Sequence, residues 1–216
     1  MEIMSALRFS SLIILFPILF AACGRSELIR IRMLAPVTED KKDYAIFTDT
    51  ESTATPVIIN KQIGGSLYFL FKSIGLGYTT ITTKMEKNTG TDLTEKTTLV
   101  TNFTDVAFGI GENYSFMWGA GVLSGGKRET SLEYGGSAAF NLKNNSLGGH
   151  SIFFVLGHHG FGFETLLGYR TNFIKAEFEE SNLPSTVGKT GKEFTYESNK
   201  LSFTTSQVQL GIGFTF

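Results

Sequence analysis

The chain has 216 residues, the length of a single domain, and 19 basic against 20 acidic side chains give a formal net charge of −1. Because no basic excess is available to follow a phosphate backbone, the composition argues against nucleic acid as a partner. The single cysteine, Cys23, excludes a disulfide framework and a multi-cysteine zinc site. The pairing of 24 Gly with 20 Phe and 7 Tyr is typical of closely packed strands that face lipid.

Residues 1–22 are predicted to be a secretory signal peptide. The apolar run from Leu12 to Ala22 is too short for a membrane-spanning helix, which needs about 20 residues. Small residues follow this run, and two signal-peptide cleavage sites remain possible. One lies after Gly24; the other follows from the likeness of residues 20–23 (FAAC) to a bacterial lipobox and would make Cys23 a lipidated first residue. Both alternatives predict an exported chain whose remaining part, 23–216, is one domain.

Strand patterns dominate this exported part, because Thr, Val, Ile, Phe and Tyr alternate with other residues and are interrupted by Gly, Asn and Ser. No long apolar segment remains. The alternation predicts eight strands, at 27–35, 57–71, 73–84, 97–110, 114–124, 149–158, 163–176 and 200–216.

The connections between these strands alternate in length. Tight turns are predicted around Lys72, around residues 111–113 and at 159–162, whereas 36–56, 85–96, 125–148 and 177–199 are long. Short periplasmic turns and long external loops are typical of an up-and-down barrel in an outer membrane. Within 125–148, the apolar alternation from Leu132 to Leu142 predicts a hairpin that continues beyond the membrane.

One face of nearly every predicted strand is apolar and free of charge. This is expected of a lipid-facing surface, where a Lys or Arg at the midplane costs about 2–4 kcal/mol. The strand at 149–158 is apolar on both faces, so its orientation is not predicted. The lipid-facing sets are Ile29/Ile31/Met33, Leu67/Phe69/Phe71, Ile74/Leu76/Tyr78, Val106/Phe108/Ile110, Phe116/Trp118/Ala120/Val122 and Phe163/Leu167/Tyr169/Phe173.

Charged residues within the strands fall on the opposite, lumen face. Charges in a narrow lumen must pair or stay hydrated. We therefore predict a polar plug in which the two carboxylates neutralise some of the three arginines; separately hydrated charges are the alternative. The predicted members are Arg30, Arg32, Asp105, Glu164 and Arg170.

The last strand has the clearest alternation, and it ends on an aromatic residue. This ending resembles the C-terminal assembly signal of bacterial outer-membrane β-barrels. The exported region as a whole resembles the small eight-stranded barrels related to the OmpA transmembrane domain and OmpX. The resemblance implies an outer-membrane location and insertion by the barrel-assembly machinery, and it implies no reaction. The signal residues are Val208, Leu210, Ile212, Phe214 and Phe216.

Three patterns that could carry chemistry are better explained structurally. Residues 121–127 match the GxxxxGK spacing of a phosphate-binding loop, but Arg128 stands where Ser or Thr is needed and no helical period follows. His158 and His159 point to opposite strand faces and cannot share a metal. The His and Ser two residues apart that mark lipid A deacylases are absent, because His150 is followed directly by Ser151.

The sequence thus predicts an all-β, eight-stranded antiparallel up-and-down transmembrane β-barrel in a bacterial outer membrane. We expect a non-enzymatic protein without cofactor or metal, in contact with outer-membrane lipid, whose exposed loops serve a structural, adhesive or ligand-binding role towards extracellular molecules. Two alternatives remain: an exported lipoprotein with a soluble lipocalin-like barrel, and a narrow solute pore.

Overall fold

The computed structural model describes residues 29–37, 41–42, 47–49, 57–88, 93–134, 137–144, 147–160, 162–177, 186–187, 192–196 and 200–216. The predicted signal peptide (1–22) and Cys23 lie outside the described residues. The described part of the chain forms no helix long and apolar enough to cross a membrane.

Eight strands form a closed barrel, as the sequence predicts. Each strand pairs antiparallel with its neighbours in the chain, and β1 pairs with both β8 and β2, which closes the sheet. Closure satisfies the backbone groups that an open sheet leaves unpaired at its edges. The strands are β1 (Ile29–Pro36), β2 (Val57–Phe71), β3 (Ile74–Asn88), β4 (Leu93–Ile110), β5 (Tyr114–Tyr134), β6 (Leu147–Gly160), β7 (Phe163–Glu177) and β8 (Lys200–Thr215).

Tight turns join β2 to β3, β4 to β5 and β6 to β7 at one end of the barrel, here called the short-turn end. The first turn places Lys72 in the left-handed region, with a φ of 56°. Gly111 and Gly162 take φ values of 92° and 86° in the other two, a conformation that glycine adopts without steric cost. The three predicted tight turns are confirmed.

The opposite end differs from the prediction at 85–96 and 125–148, which are not long loops. β3 and β4 remain paired out to Asn88 and Thr94, so that only 89–92 connects them. β5 continues to Tyr134 and pairs with a further strand, Ser137–Asn144, which is the hairpin predicted from Leu132 to Leu142. We call this end of the sheet the outer extension. It consists of 83–88 of β3, 93–99 of β4, 127–134 of β5 and the strand Ser137–Asn144.

The connections at 36–56 and 177–199 contain short strands where the structure describes them. Lys41–Lys42 pairs with the start of β2. Phe47–Asp49 pairs with Lys192–Tyr196, which lies beside Thr186–Val187 in a small separate sheet. The first and last of the predicted long connections are thereby joined at the same end of the barrel.

The outer face of the barrel is apolar over the part nearest the short turns. Outward side chains there are exposed, for example Leu76 at 65% and Ile152 at 54%. The predicted lipid-facing sets all point outward, and Ile152, Phe154 and Leu156 settle the orientation of β6. We call this surface the apolar belt. Its large exposed members include Ile29, Met33, Leu67, Phe69, Phe71, Ile74, Leu76, Tyr78, Val106, Phe116, Val122, Ile152, Phe154, Leu156, Phe163, Leu167, Tyr169, Leu210, Ile212, Phe214 and Phe216.

The interior of the barrel is filled by side chains. Small inward residues make room for large neighbours; the position a Cβ of Gly77 would take is occupied by the ring of Tyr68. An apolar cluster fills much of the lumen near the short-turn end, and buried polar and charged residues lie on both sides of it. The cluster comprises Leu34, Tyr68, Leu70, Ala107, Met117, Phe153, Val155 and Leu166.

Candidate functional site

Near the short-turn end of the barrel, Arg32 of β1 and Glu164 of β7 form an ion pair that we call the lower pair. The guanidinium Nε donates to Oε2 at 2.8 Å and Nη2 donates to Oε1 at 2.8 Å, and both side chains are buried. Ser115 accepts from Nη2 at 2.7 Å and donates to Oε1 at 3.1 Å. This fork geometry matches the planar guanidinium to the carboxylate and is among the stronger hydrogen-bonded arrangements in proteins.

Arg30 lies closer still to the short-turn end. Its Nη2 donates to the carbonyl of Gly111 at 2.6 Å, across the lumen from β1 to the β4–β5 turn. Arg30 is therefore placed beside the lower pair, and this hydrogen bond is made to the backbone.

Deeper in the barrel, Asp105 of β4 and Arg170 of β7 form the middle pair. Nη1 donates to Oδ2 at 2.8 Å and Nη2 to Oδ1 at 2.9 Å, and neither side chain is exposed. Thr79 donates to Oδ2 of Asp105 at 2.6 Å. The pair spans the lumen between strands that are not neighbours in the sheet.

The remaining donors of Arg170 are also engaged. Nε donates to the side-chain carbonyl of Asn172 at 3.0 Å, Nη1 to the hydroxyl of Tyr68 at 3.2 Å, and Nη2 to the hydroxyl of Ser151. The guanidinium carbon lies 4.7 Å from the ring centroid of Phe103, within cation–π distance. The burial of this charge is tolerated because the guanidinium nitrogens of Arg170 all donate hydrogen bonds to neighbouring side chains.

A third buried pair lies in the outer extension, and sequence reasoning missed it. Arg128 Nη2 lies 4.0 Å from Glu95 Oε1, and each side chain is only 1% exposed. Thr130 accepts from Arg128 Nε at 3.2 Å and shares a 2.9 Å hydrogen bond with Thr97. We call Glu95 and Arg128 the outer pair.

The residues with phosphate-loop spacing and the histidines His150 and His158 pack within or against the barrel strands. The phosphate-loop spacing at 121–127 lies inside β5, with no helix after it, and the space beside Gly121 is filled by Asp105 and Ser151. His158 packs on Tyr114 and His150 on Phe173, with ring centroids 4.8 and 5.0 Å apart. Among the described residues, no group of three His, Cys, Asp or Glu converges on a metal position.

The predicted assembly-signal residues point outward from β8. Leu210, Ile212, Phe214 and Phe216 are exposed and Val208 partly so, whereas Gln207 and Gln209 point into the lumen and are buried. Ile29 and Phe216 exchange backbone hydrogen bonds of 3.1 and 2.9 Å, which join the last residue to the first strand at the barrel seam. The face that the sequence predicts is therefore presented as one apolar stripe.

Comparison with known proteins yields few matches. No protein-family model matches the chain, and no curated protein matches it. Among solved structures the chain is similar to the crystal structure of Neisserial surface protein A, with a TM-score of 0.43 and 13% sequence identity, over 89% of this chain and 99% of that chain.

Proposed function

We propose that the chain is a bacterial outer-membrane β-barrel with a plugged lumen and a non-enzymatic structural, adhesive or ligand-binding role. One observation carries the proposal: the strands place apolar side chains outside and charges inside. The apolar belt is exposed while Arg32, Asp105, Glu164 and Arg170 are buried. A protein in water favours the reverse arrangement, because burial of a large apolar side chain stabilises it by about 1.5–3 kcal/mol.

The belt has the properties that hydrocarbon requires. On the described strands, no charged side chain points outward between the short turns and the lysines at the other end of the belt. Aromatic side chains contribute strongly: Trp118 lies between Phe116 and Phe108, with ring centroids at 5.4 and 6.1 Å. The lipid-exposed backbone stays satisfied because the barrel has no open edge.

The soluble lipocalin-like alternative fits this arrangement poorly. Such a barrel would hold its apolar ligand in an apolar lumen, whereas here charged and hydroxyl side chains cross the interior. Leaving the belt in water would also expose an apolar surface far larger than the few hundred Å² usual for monomers.

The narrow-pore alternative is also disfavoured. The lower and middle pairs bridge the lumen at two levels, with the apolar cluster packed beside them. An eight-stranded barrel has an interior just wide enough for side chains to fill. We propose that the two pairs act as a plug that keeps the barrel closed to ions and solutes.

We further propose how the barrel is inserted into the membrane and which parts of it face the cell exterior. The apolar stripe of β8 is the proposed signal for the barrel-assembly machinery, and outer-membrane lipid is the proposed partner of the belt. The outer extension and the connections beside it would then stand at the cell surface, where a rigid barrel can present them to an extracellular ligand.

The proposal is tested by electrophoresis of membrane-extracted protein in SDS with and without heating, combined with separation of inner and outer membranes. We expect the unheated protein in the outer-membrane fraction to migrate as a compact species and to shift on boiling. Release from membranes by high salt without such a shift would contradict it. Steady conductance in planar bilayers would reject the plug and support the pore.

A further inference from the structure

A groove of about 480 Å³ lies in the outer extension, beyond the apolar belt. Its lining includes Lys84, Lys96 and Lys143 together with Glu86 and Glu129. Lys84, Thr98, Glu129 and Lys143 are paired in register across β3, β4, β5 and Ser137–Asn144. By strand alternation they share the outward face, so the groove opens on the side of the barrel that carries the belt.

The groove lies where headgroups of a lipid leaflet would meet the barrel. Along β3 the outward positions run from Ile74, Leu76 and Tyr78 in the belt through Thr80 and Thr82 to Lys84. A strand rises about 3.3 Å per residue, so Lys84 lies roughly 20 Å along the strand beyond Tyr78. Acyl-chain contacts and groove contacts can thus be made by one lipid.

Two lysines beside the groove face each other without an acidic partner. Lys61 of β2 is directly paired with Lys84 of β3, and both side chains are exposed. Like charges directly opposite each other destabilise a sheet. Among the described residues no carboxylate lies within ion-pairing distance of either, although Lys96 pairs with Glu133 and Lys143 with Glu129.

We propose that this groove binds the phosphorylated sugar headgroup of an outer-leaflet glycolipid, and that Lys84 in its lining and Lys61 on the neighbouring strand hold a phosphate at its edge. This inference rests on the proposed membrane function. A phosphate relieves the repulsion between the two ammonium groups and accepts hydrogen bonds from both. The position on the lipid side of the wall, continuous with the belt, favours a lipid over a free anion.

The rest of the lining favours a sugar phosphate over a bare phosphate. Glu86 and Glu129 would repel an isolated anion, but their carboxylates accept hydrogen bonds from sugar hydroxyls. Thr98 and Ser131 add hydroxyl groups to the lining. The lining therefore offers ammonium groups to phosphates and hydrogen-bonding groups to sugar hydroxyls.

The test uses folded full-length protein in detergent micelles, titrated with bisphosphorylated lipid A, its dephosphorylated form, or phosphatidylcholine, with bound lipid counted by native mass spectrometry. We expect the wild type to retain the bisphosphorylated form most tightly. The Lys61→Gln/Lys84→Gln variant should bind it about 30-fold more weakly, because each lysine near an anionic headgroup contributes roughly a fivefold gain. A Lys61→Arg/Lys84→Arg variant should retain binding.

The matched control is Lys72→Gln/Lys175→Gln, which removes two exposed lysines outside the groove, and it should bind as the wild type does. Equal binding by the Lys61→Gln/Lys84→Gln variant, equal losses in both variants, or displacement of the lipid by millimolar inorganic phosphate would each overturn the inference. Failure of the wild type to show a heat-dependent shift in SDS gels would overturn the proposed function itself, before any lipid is added.

Discussion

The middle pair and the outer pair are equally buried but differently built. Arg170 contacts Asp105 through two hydrogen bonds of 2.8 and 2.9 Å, whereas Arg128 lies 4.0 Å from Glu95. The middle pair lies level with the apolar belt, where the surrounding wall excludes water. The outer pair lies in the outer extension. The described lumen thus holds a close ion pair at the level of the belt and a wider-spaced one in the outer extension.

Removal of the cation of the middle pair should have the largest effect. Arg170→Met leaves Asp105 as an uncompensated buried charge, so we expect a loss of about 3–5 kcal/mol in the free energy of unfolding. The measurement is the urea unfolding midpoint of the barrel in phosphatidylcholine vesicles.

The control for this prediction removes both charges. Asp105→Leu/Arg170→Met should recover part of the loss, because it removes the uncompensated charge although Asn172, Tyr68 and Ser151 still lose their partner. A double variant as unstable as the single one would show that the two residues are not coupled.

Overpacking next to the same pair should have the second-largest effect. A Cβ at Gly121 would meet Asp105, Ser151 and Arg170, so Gly121→Ala should cost about 1–3 kcal/mol of unfolding free energy. Gly148→Ala is the matched control, because no atom lies within 4 Å of the added Cβ, and we expect a change within about 0.5 kcal/mol. Equal effects of the two alanines in the same vesicle assay would argue against tight packing around the middle pair.

Most of the barrel and the position of its inner charges follow from the sequence because the strands of the belt alternate strictly between apolar outward residues and lumen residues. Within the belt each strand must alternate apolar and lumen residues, so the alternation reveals the strands and places Arg32, Asp105, Glu164 and Arg170 inside. The sequence does not predict which arginine pairs with which carboxylate. Those contacts join strands that are not adjacent, such as β4 and β7, and depend on how the closed barrel is tilted and staggered.

The outer pair was missed for the complementary reason. Beyond the belt the outward side chains are mostly polar and the inward ones mix polar with apolar residues, so the apolar period disappears although the strands remain paired. The segments 85–96 and 125–148, rich in Thr, Lys, Glu and Gly, therefore resemble loops. The alternation of Glu95, Thr97, Leu99 and Thr101 on one face was the available signal, and all four are buried.

Removal of the negative charge from the outer pair should have a smaller effect. Glu95→Gln keeps the side-chain shape and the hydrogen-bonding group near Thr97, and the 4.0 Å ion-pair distance is too long for a hydrogen bond. We expect a loss of about 1 kcal/mol in the same unfolding measurement. A loss as large as that of Arg170→Met would mean that the outer extension is as dry as the belt.

The smallest expected effect concerns an exposed contact of the outer extension. The hydrogen bond to Glu133 at 2.6 Å is the main cause that raises the pKa of Lys96 above its usual 10.5. The stabilisation is fully present below that usual value and is lost as the pH rises through the raised pKa. Nuclear magnetic resonance of the lysine ε-carbons should show the Lys96 pKa falling towards 10.5 in Glu133→Gln. An unchanged titration would show that the contact does not persist in solution.

Contact between the apolar belt and lipid can be measured directly because the chain contains one tryptophan. Trp118 points outward in the belt, so its fluorescence reports the surroundings of that face. The protein is refolded into phosphatidylcholine vesicles whose acyl chains carry bromine, a contact quencher, and compared with the same protein in unbrominated vesicles. Strong quenching that depends on the depth of the bromine is the predicted result. Emission unchanged by bromine, with the protein remaining outside the vesicles, would contradict the account.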